Sequence, residues 1–199
     1  MASETDLLND ALGQAGLPAI VSLTSNEPNA AWCRTFYPSL RQAFLRAYRP
    51  SCARKRATLQ QNATLPAFEF AYAYDLPPDY LMLIAYNGGA PTVANLDPDF
   101  QGVPAGWVIE AGQILTNDGE AFIRYIRDVP NPALWDSLFY QVLAATLSSK
   151  LISAVWKDIT KSQMKLKEAM DLWMPPAMAA DGQGDSLIPF IVDDLTHGR

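Results

Sequence analysis

The stretch FEFAYAYDLPPDYLMLIAYNGG, residues 68–89, decides the fold class of this 199-residue chain. Its first half alternates aromatic residues with small or polar ones, the period-two pattern of a half-buried β-strand. A proline-rich turn follows, and the apolar run of residues 80–86 predicts a second strand that ends at a tight Asn-Gly-Gly turn. Residues 107–115 and 121–127 read as two more strands, separated by the hairpin signal TNDG. The middle of the chain is therefore predicted to be a small antiparallel β domain.

The residues before this β domain carry helical signals. Eight of the 15 prolines and six of the 11 glycines fall between residues 66 and 132, which leaves the flanks for helices. Ser3 or Thr5 can cap a first helix that Gly16 ends. A second helix should begin near residues 26–29 and be kinked or divided at Pro38. The four arginines of this helix lie off its apolar stripe. Residues 52–61 read as another short helix.

The residues after the β domain are also predicted to be helical. Asn131 and Pro132 form a strong helix start, and the apolar run that follows is wide enough for the central helix of a bundle. Thr160 and Gln163 fit a capping box for the last helix, which Pro175 and the next proline should stop. We therefore expect an α+β fold, with a helical domain built from residues 1–65 and 131–175. The β domain, residues 66–130, is inserted in it, and residues 176–199 form a C-terminal tail.

Composition narrows the class of protein. With 49% hydrophobic and 18% charged residues, the chain can bury one good core. No uninterrupted apolar run approaches the roughly 20 residues of a membrane helix, and the acidic start does not resemble a secretion signal. These features favour a cytoplasmic product with no membrane partner. Cys33 and Cys52 show no metal-ligand spacing, and we expect two reduced thiols.

Charge is placed unevenly along the chain. Residues 34–56 contain seven basic residues and no acidic one, whereas residues 66–132 contain nine acidic residues and two arginines. A third block, residues 150–167, has five lysines and one aspartate. Because the net charge is −6, a protein that wraps nucleic acid with its whole surface is not expected. Separate basic and acidic surfaces suit identical neighbours that meet head to tail.

The inventory of catalytic residues is thin. The only histidine, His197, is the third-last residue of the sequence, and neither GxxxxGK[ST] nor GxGxxG occurs. We expect no cofactor, no metal and no enzyme activity. Two alternatives stay open. A pair of carboxylates can hydrolyse glycosides without histidine, and the β region offers Glu69, Asp75, Asp79 and Glu110. The second alternative is a DNA-binding accessory protein, which the arginine-rich segment, residues 34–56, leaves open.

Several segments together resemble one known family. These are LLNDALGQAGLPAIVSL (residues 7–23), FAYAYDLPPDYLML (70–83), WVIEAGQILTN (107–117), YIRDVPNPALWDSLF (125–139) and LAATLSSKLI (143–152). In order and spacing they are similar to tail tubular protein A, the head-to-tail adaptor of T7-like podoviruses. The resemblance covers most of the chain before Pro176, although no single motif in it is diagnostic.

The resemblance implies a structural virion protein. Members of this family form a dodecameric ring between the portal at the capsid vertex and the tail nozzle, tail tubular protein B, with tail fibres attached around the junction. It implies assembly in the host cytoplasm and a lumen through which DNA passes without sequence-specific binding. A closed ring needs head-to-tail contacts between two different surfaces. Our candidates for subunit or portal contacts are Arg34, Arg41, Arg46, Arg49, Arg54, Arg56, Leu187, Ile188 and Phe190.

Overall fold

The computed structural model describes residues 3–92, 95 and 106–182 and shows an α+β protein, as predicted. The helices are α1 (Glu4–Ala15), α2 (Pro28–Tyr48), α3 (Ser137–Leu151), α4 (Ile159–Glu168) and α5 (Met174–Gly182). The strands are β1 (Arg54–Thr58), β2 (Tyr72–Asp75), β3 (Tyr80–Tyr86), β4 (Trp107–Glu110), β5 (Gln113–Thr116) and β6 (Phe122–Arg127). The N-terminal and C-terminal helices pack together around one apolar core, and the strands form two small antiparallel sheets.

Helix α1 has the predicted ends. Ser3 and Asp6 form a reciprocal capping box, and Gly16 closes the helix with a φ of 71°, a left-handed conformation that glycine adopts without strain. The helix packs against α3 with one fully buried face, which consists of Leu7, Leu8, Ala11, Leu12 and Ala15. Helix α2 runs as one helix from Pro28 through Pro38, so the proline does not divide it.

Helix α3 is the centre of the helical core. Eleven of its 15 residues are buried, and Ile152–Trp156 continue it with π-helical geometry. The combined helix is long and apolar enough to cross a membrane by length and composition, but 61% of that window is buried inside the protein, as in a core helix. The predicted start at Asn131 is wrong. Asn131 caps a short 3-10 turn, Trp135 is extended, and α3 begins only after its N-cap residue Asp136.

The last helices differ from the prediction at both ends. Asp158, rather than Thr160, caps α4 by accepting from the backbone of Lys161 at 2.8 Å. The proline pair does not end the helical region. After a π-helical segment, Ala169–Trp173, both prolines lie at the start of α5, which continues the helical run without a break. The tail positions Leu187, Ile188 and Phe190 lie outside the described residues.

The first sheet has the strand order β1-β6-β3, and the second has the order β2-β5-β4. The predicted helix at residues 52–61 is wrong, because residues 54–58 pair with β6 along their whole length. The TNDG segment is not a hairpin, since β5 and β6 belong to different sheets. The hairpin lies instead at Ala111 and Gly112, which join β4 to β5 with φ values of 48° and 79°. The strand predicted to begin at Phe68 begins at Tyr72.

The two sheets pack face to face through a second apolar cluster. Tyr74 and Ile114 of the second sheet meet Leu83, Ile123 and Tyr125 of the first sheet there. Because successive side chains of a strand point to opposite faces, the residues between these lie on the two outer faces. Part of the first sheet's outer face is covered by the helical core, which its residues Met82 and Ile126 contact. The rest of that face, and the outer face of the second sheet, lie away from both cores.

Candidate subunit interface

The structure divides the predicted arginines into two groups. Arg34, Arg46, Arg49 and Arg56 are exposed. Arg34 nevertheless has a local structural role, because its Nη1 donates to the backbone oxygens of Leu23 (2.6 Å) and Ser25 (2.8 Å). Arg54 is half-buried, and its Nε donates to the backbone oxygen of Arg49 at 3.1 Å.

The sequence prediction placed Arg41 off the buried stripe of α2, and this prediction is wrong. Its side chain is 7% exposed, and it forms a bidentate pair with Asp128 in which both hydrogen bonds measure 2.8 Å. The guanidinium also lies 5.1 Å from the ring centre of Tyr37. Burial alone would raise the pKa of Asp128, but the hydrogen bonds from Arg41 and Gln42 hold it below its ordinary value. The guanidinium of Arg41 is therefore already paired with an acidic residue of its own chain.

A second contact also joins the basic segment to the acidic one within a single chain. Lys55 Nζ lies 3.0 Å from Asp79 Oδ2, and the Tyr125 hydroxyl donates to the other oxygen of that carboxylate at 2.8 Å. Asp79 and Asp128 thus already have basic partners. A contact between copies that pairs the basic segment with the acidic one would therefore use their remaining charges.

One such surface lies on the outer face of the first sheet, and we call it the basic patch. Arg56 and Arg124 stand directly opposite each other across β1 and β6, and both are exposed. Next to them the ring of Phe122 is 47% exposed. The patch forms an open groove of 450 Å³, which Ala85, Gly88 and Ile123 also line. It offers one exposed aromatic ring beside two guanidinium groups.

A complementary surface lies on the outer face of the second sheet, and we call it the acidic cleft. It is a cavity of 290 Å³ between residues 64–70 and the strand residues Ala73, Gln113 and Leu115. Glu69 and Glu110 line it, and both are exposed. The apolar part includes Leu65 and Phe68, which are 60% and 76% exposed. The cleft therefore combines two carboxylates with apolar side chains that the fold leaves uncovered.

The backbone at Glu69 is unusual. Its φ is 66°, and the amide of Phe70 donates to the oxygen of Phe68 at 2.8 Å, which makes a γ-turn centred on the glutamate. A non-glycine residue in this conformation is strained, and such strain is concentrated at functional segments.

The other two carboxylates of the hydrolase alternative do not join this cleft. Asp75 accepts from the amides of Asn62 and Gln113, both at 2.8 Å, and Asp79 is bound by Lys55 and Tyr125. Of the four predicted acidic residues, the structure brings Glu69 and Glu110 to one cavity.

A third exposed surface runs along the C-terminal helices. Helix α4 has no buried residue, and its Ile159 and Met164 are 65% and 69% exposed. Leu172 and Met178 continue the apolar side chains toward α5, at 59% and 46% exposure. Lys161 and Lys167 are also exposed on α4, so these helices expose a mixture of apolar and basic side chains.

The sequence prediction named Arg56 of the basic patch, but it missed Phe122, Arg124 and the apolar side of the cleft. The run FIRYIR of β6 contained a usable signal, because Phe122 and Arg124 are two positions apart and must share one face of the strand. The pairing of Arg56 with Arg124 had no such signal, since residues 52–61 were predicted to be helical.

No metal site is evident in the part of the chain that the structure describes. Within residues 3–92, 95 and 106–182, no group of three or more histidine, cysteine, aspartate or glutamate side chains is placed to hold a metal ion. Cys33 is buried and Cys52 half-buried, and no disulfide joins them. Comparison with known proteins adds no relative, since no protein-family model and no curated protein matches this chain.

Proposed function

We propose that this chain is a structural subunit of a ring-shaped adaptor at the head-to-tail junction of a short-tailed phage. In this role it joins the portal to the tail nozzle, leaves a channel for DNA and performs no catalysis of its own. The observation that supports the proposal best is that exposed apolar side chains occur in three separate places: beside the arginines of the basic patch, in the acidic cleft and on α4 and α5.

Exposed apolar side chains that lie together mark binding sites, and this chain has exposed apolar side chains in more than one place. A ring subunit needs at least two, because its two lateral neighbours contact different surfaces. An adaptor also needs axial contacts, to the portal on one side and to the nozzle on the other. The exposed apolar residues of α4 and α5 are our candidates for an axial contact.

The charge of the chain suits a conduit for DNA. At a net charge of −6 per copy, a ring presents a predominantly negative surface, and such a surface does not hold phosphates by counterion release. DNA can then pass through the lumen without being retained.

A second candidate function is favoured by one observation. Glu69 and Glu110 line the same cavity, and paired carboxylates carry out glycoside hydrolysis in many enzymes. In that case the adaptor would also cleave cell-surface polysaccharide. Glu69→Gln and Glu110→Gln would each abolish release of reducing sugar from host polysaccharide, whereas Asp75→Asn would leave it intact. If wild-type protein releases no sugar, this candidate is rejected.

The adaptor proposal is tested by native mass measurement and negative-stain microscopy of the full chain, alone and mixed with portal purified from the same phage. The expected result is a ring that caps the portal, with or without assembly of the chain alone. A persistent monomer that leaves the portal bare would reject the proposal.

A further inference from the structure

We infer that the head-to-tail contact between copies is made by the basic patch of one copy and the acidic cleft of the next. In this contact Phe122 enters the cleft, and Arg56 and Arg124 pair with Glu69 and Glu110. The inference rests on the proposed ring function, because its partner is a second copy of this chain.

In the part of the chain that the structure describes, the basic patch has no anionic partner. Arg56 and Arg124 are directly opposite on antiparallel strands, an arrangement in which like charges repel and destabilise the sheet. Within the described part of the chain neither guanidinium forms an ion pair, although the nearby Lys55 and Arg41 both do. A pair of carboxylates from outside would relieve this repulsion and add charge-assisted hydrogen bonds.

The acidic cleft has the size and chemistry to receive this patch. A cavity of about 150 Å³ binds benzene, so the 290 Å³ of the cleft admit the phenyl ring of Phe122. The ring would cover Leu65 and Phe68, which are otherwise largely in water. An aromatic side chain in an apolar pocket, bordered by arginine pairs, is the usual composition of an interface hot spot.

The placement of the two surfaces favours a head-to-tail assembly, of which a ring is the closed form, over a symmetric dimer. The sheets pack through their inner faces, so the patch and the cleft, on the two outer faces, are directed to opposite sides of the β region. A contact between opposite sides is heterologous and repeats from copy to copy. A two-fold dimer through either surface would instead bring arginines against arginines or glutamates against glutamates.

Two other occupants have weaker support. DNA phosphates would satisfy the arginines, but the patch has only two of them and the chain as a whole is acidic. A polysaccharide would use the cleft and leave the patch without a partner. A second copy satisfies both surfaces at once.

The test uses full-length variants with reversed charge. In Arg56→Glu/Arg124→Glu, and separately in Glu69→Arg/Glu110→Arg, both contact surfaces carry the same sign, so neither variant should assemble with itself. We expect each to lose assembly at least about a hundredfold in concentration, since like charges at an interface cost several kcal/mol. An equimolar mixture should assemble again, because alternating copies restore opposite charges at every contact.

Native mass spectrometry, with portal present if wild-type assembly requires it, measures the outcome, and circular dichroism confirms that each variant is folded. Lys150→Glu/Lys157→Glu, with the same charge change at exposed residues outside both surfaces, is the matched control and should assemble. If both reversed variants assemble like wild type, or if folded variants fail to assemble when mixed, the interface is overturned while the adaptor function stands.

If wild type itself never assembles and leaves the portal bare, both proposals fail. In that event, loss of DNA or polysaccharide binding in one variant identifies the true occupant.

Discussion

Arg41 and Asp128 join helix α2 to the end of strand β6 through two hydrogen bonds of 2.8 Å. The pair is a polar link between the helical core and the first sheet, and Gln42 donates a third hydrogen bond to the same carboxylate at 3.0 Å. Glu4 of α1 lies 3.7 Å from the guanidinium as well. A side chain that sequence reasoning assigned to a contact with another copy therefore stabilises the subunit itself.

Replacement of Arg41 by alanine should destabilise the subunit strongly. The change leaves the carboxylate of Asp128 partly buried without its main partner, and loss of one member of a buried pair costs about 3 kcal/mol or more. Arg46→Ala, on the exposed side of the same helix, should change stability by less than about 0.5 kcal/mol. Urea unfolding of both variants checks this. Equal stabilities would contradict the structural role of the pair.

The same pair predicts a dependence of stability on pH. Asp128 has a pKa below its ordinary value of 3.8, so its contribution is present above that value and is lost as pH falls through the lower folded value. Wild-type protein should lose more unfolding free energy than Asp128→Asn between about pH 4 and pH 2. Parallel slopes for the two proteins over that range would show that the carboxylate gains nothing from its partners.

Truncation of a buried side chain in the central helix α3 should lower the free energy of unfolding, whereas truncation of an exposed side chain on α4 should have little effect. Leu147 of α3 is fully buried in the helical core, and Leu→Ala at such a site costs about 2–5 kcal/mol. Met164→Ala on α4 removes a side chain that is 69% exposed and should cost less than about 0.5 kcal/mol. Thermal unfolding of the two variants measures this. If Met164→Ala were the less stable of the two, the placement of one of these helices would be wrong.

The turn between β4 and β5 offers a stabilising change. Ala111 has a φ of 48° and precedes Gly112, so the pair matches a two-residue turn for which Asn-Gly is preferred. Because the left-handed conformation costs alanine roughly 1 kcal/mol, Ala111→Asn should raise stability by about 0.5–1 kcal/mol. Gly112→Ala should lower it, since its φ of 79° strains any other residue. Chemical denaturation measures both free energies of unfolding. If both variants were more stable than wild type, or both less stable, this turn would be refuted.

Cys33 should react slowly with thiol reagents. Burial raises the pKa of its thiol to about 11 from an ordinary 9.0, which reduces the thiolate fraction at neutral pH about a hundredfold. Ellman's reagent followed by peptide mass spectrometry should find Cys33 unmodified in native protein and fully modified in denaturant. Rapid labelling of the native state would show that helix α2 does not bury this residue.

The sequence predicted the fold class because its strongest signals were local. Periodicity and capping located α1 with both of its ends, and the apolar run of residues 80–86 located β3. Errors arose where tertiary contacts override local preference. Residues 54–58 are short and charged, and only their pairing with β6 makes them a strand. The proline pair, Pro175 and Pro176, reads as a stop in sequence but lies within the continuous helical run that becomes α5.

The candidate site was harder to predict than the fold. Charge patterning correctly separated a basic from an acidic segment, but it could not show that Arg41 and Lys55 have partners in their own chain. Nor could it pair Arg56 with Arg124, because residues 68 positions apart in sequence become neighbours only through the sheet register. The folded structure decides which charges remain for other molecules.

The central claim, that this chain is a ring subunit joining portal to tail, is tested most directly by the mass of the complex that it forms with purified portal. Native mass spectrometry of the mixture should show a complex in which many copies of the full chain are bound as one closed set, and microscopy should show them as an annulus on the portal. A mixture in which portal and 21.9 kDa monomer remain separate at all concentrations would contradict the account.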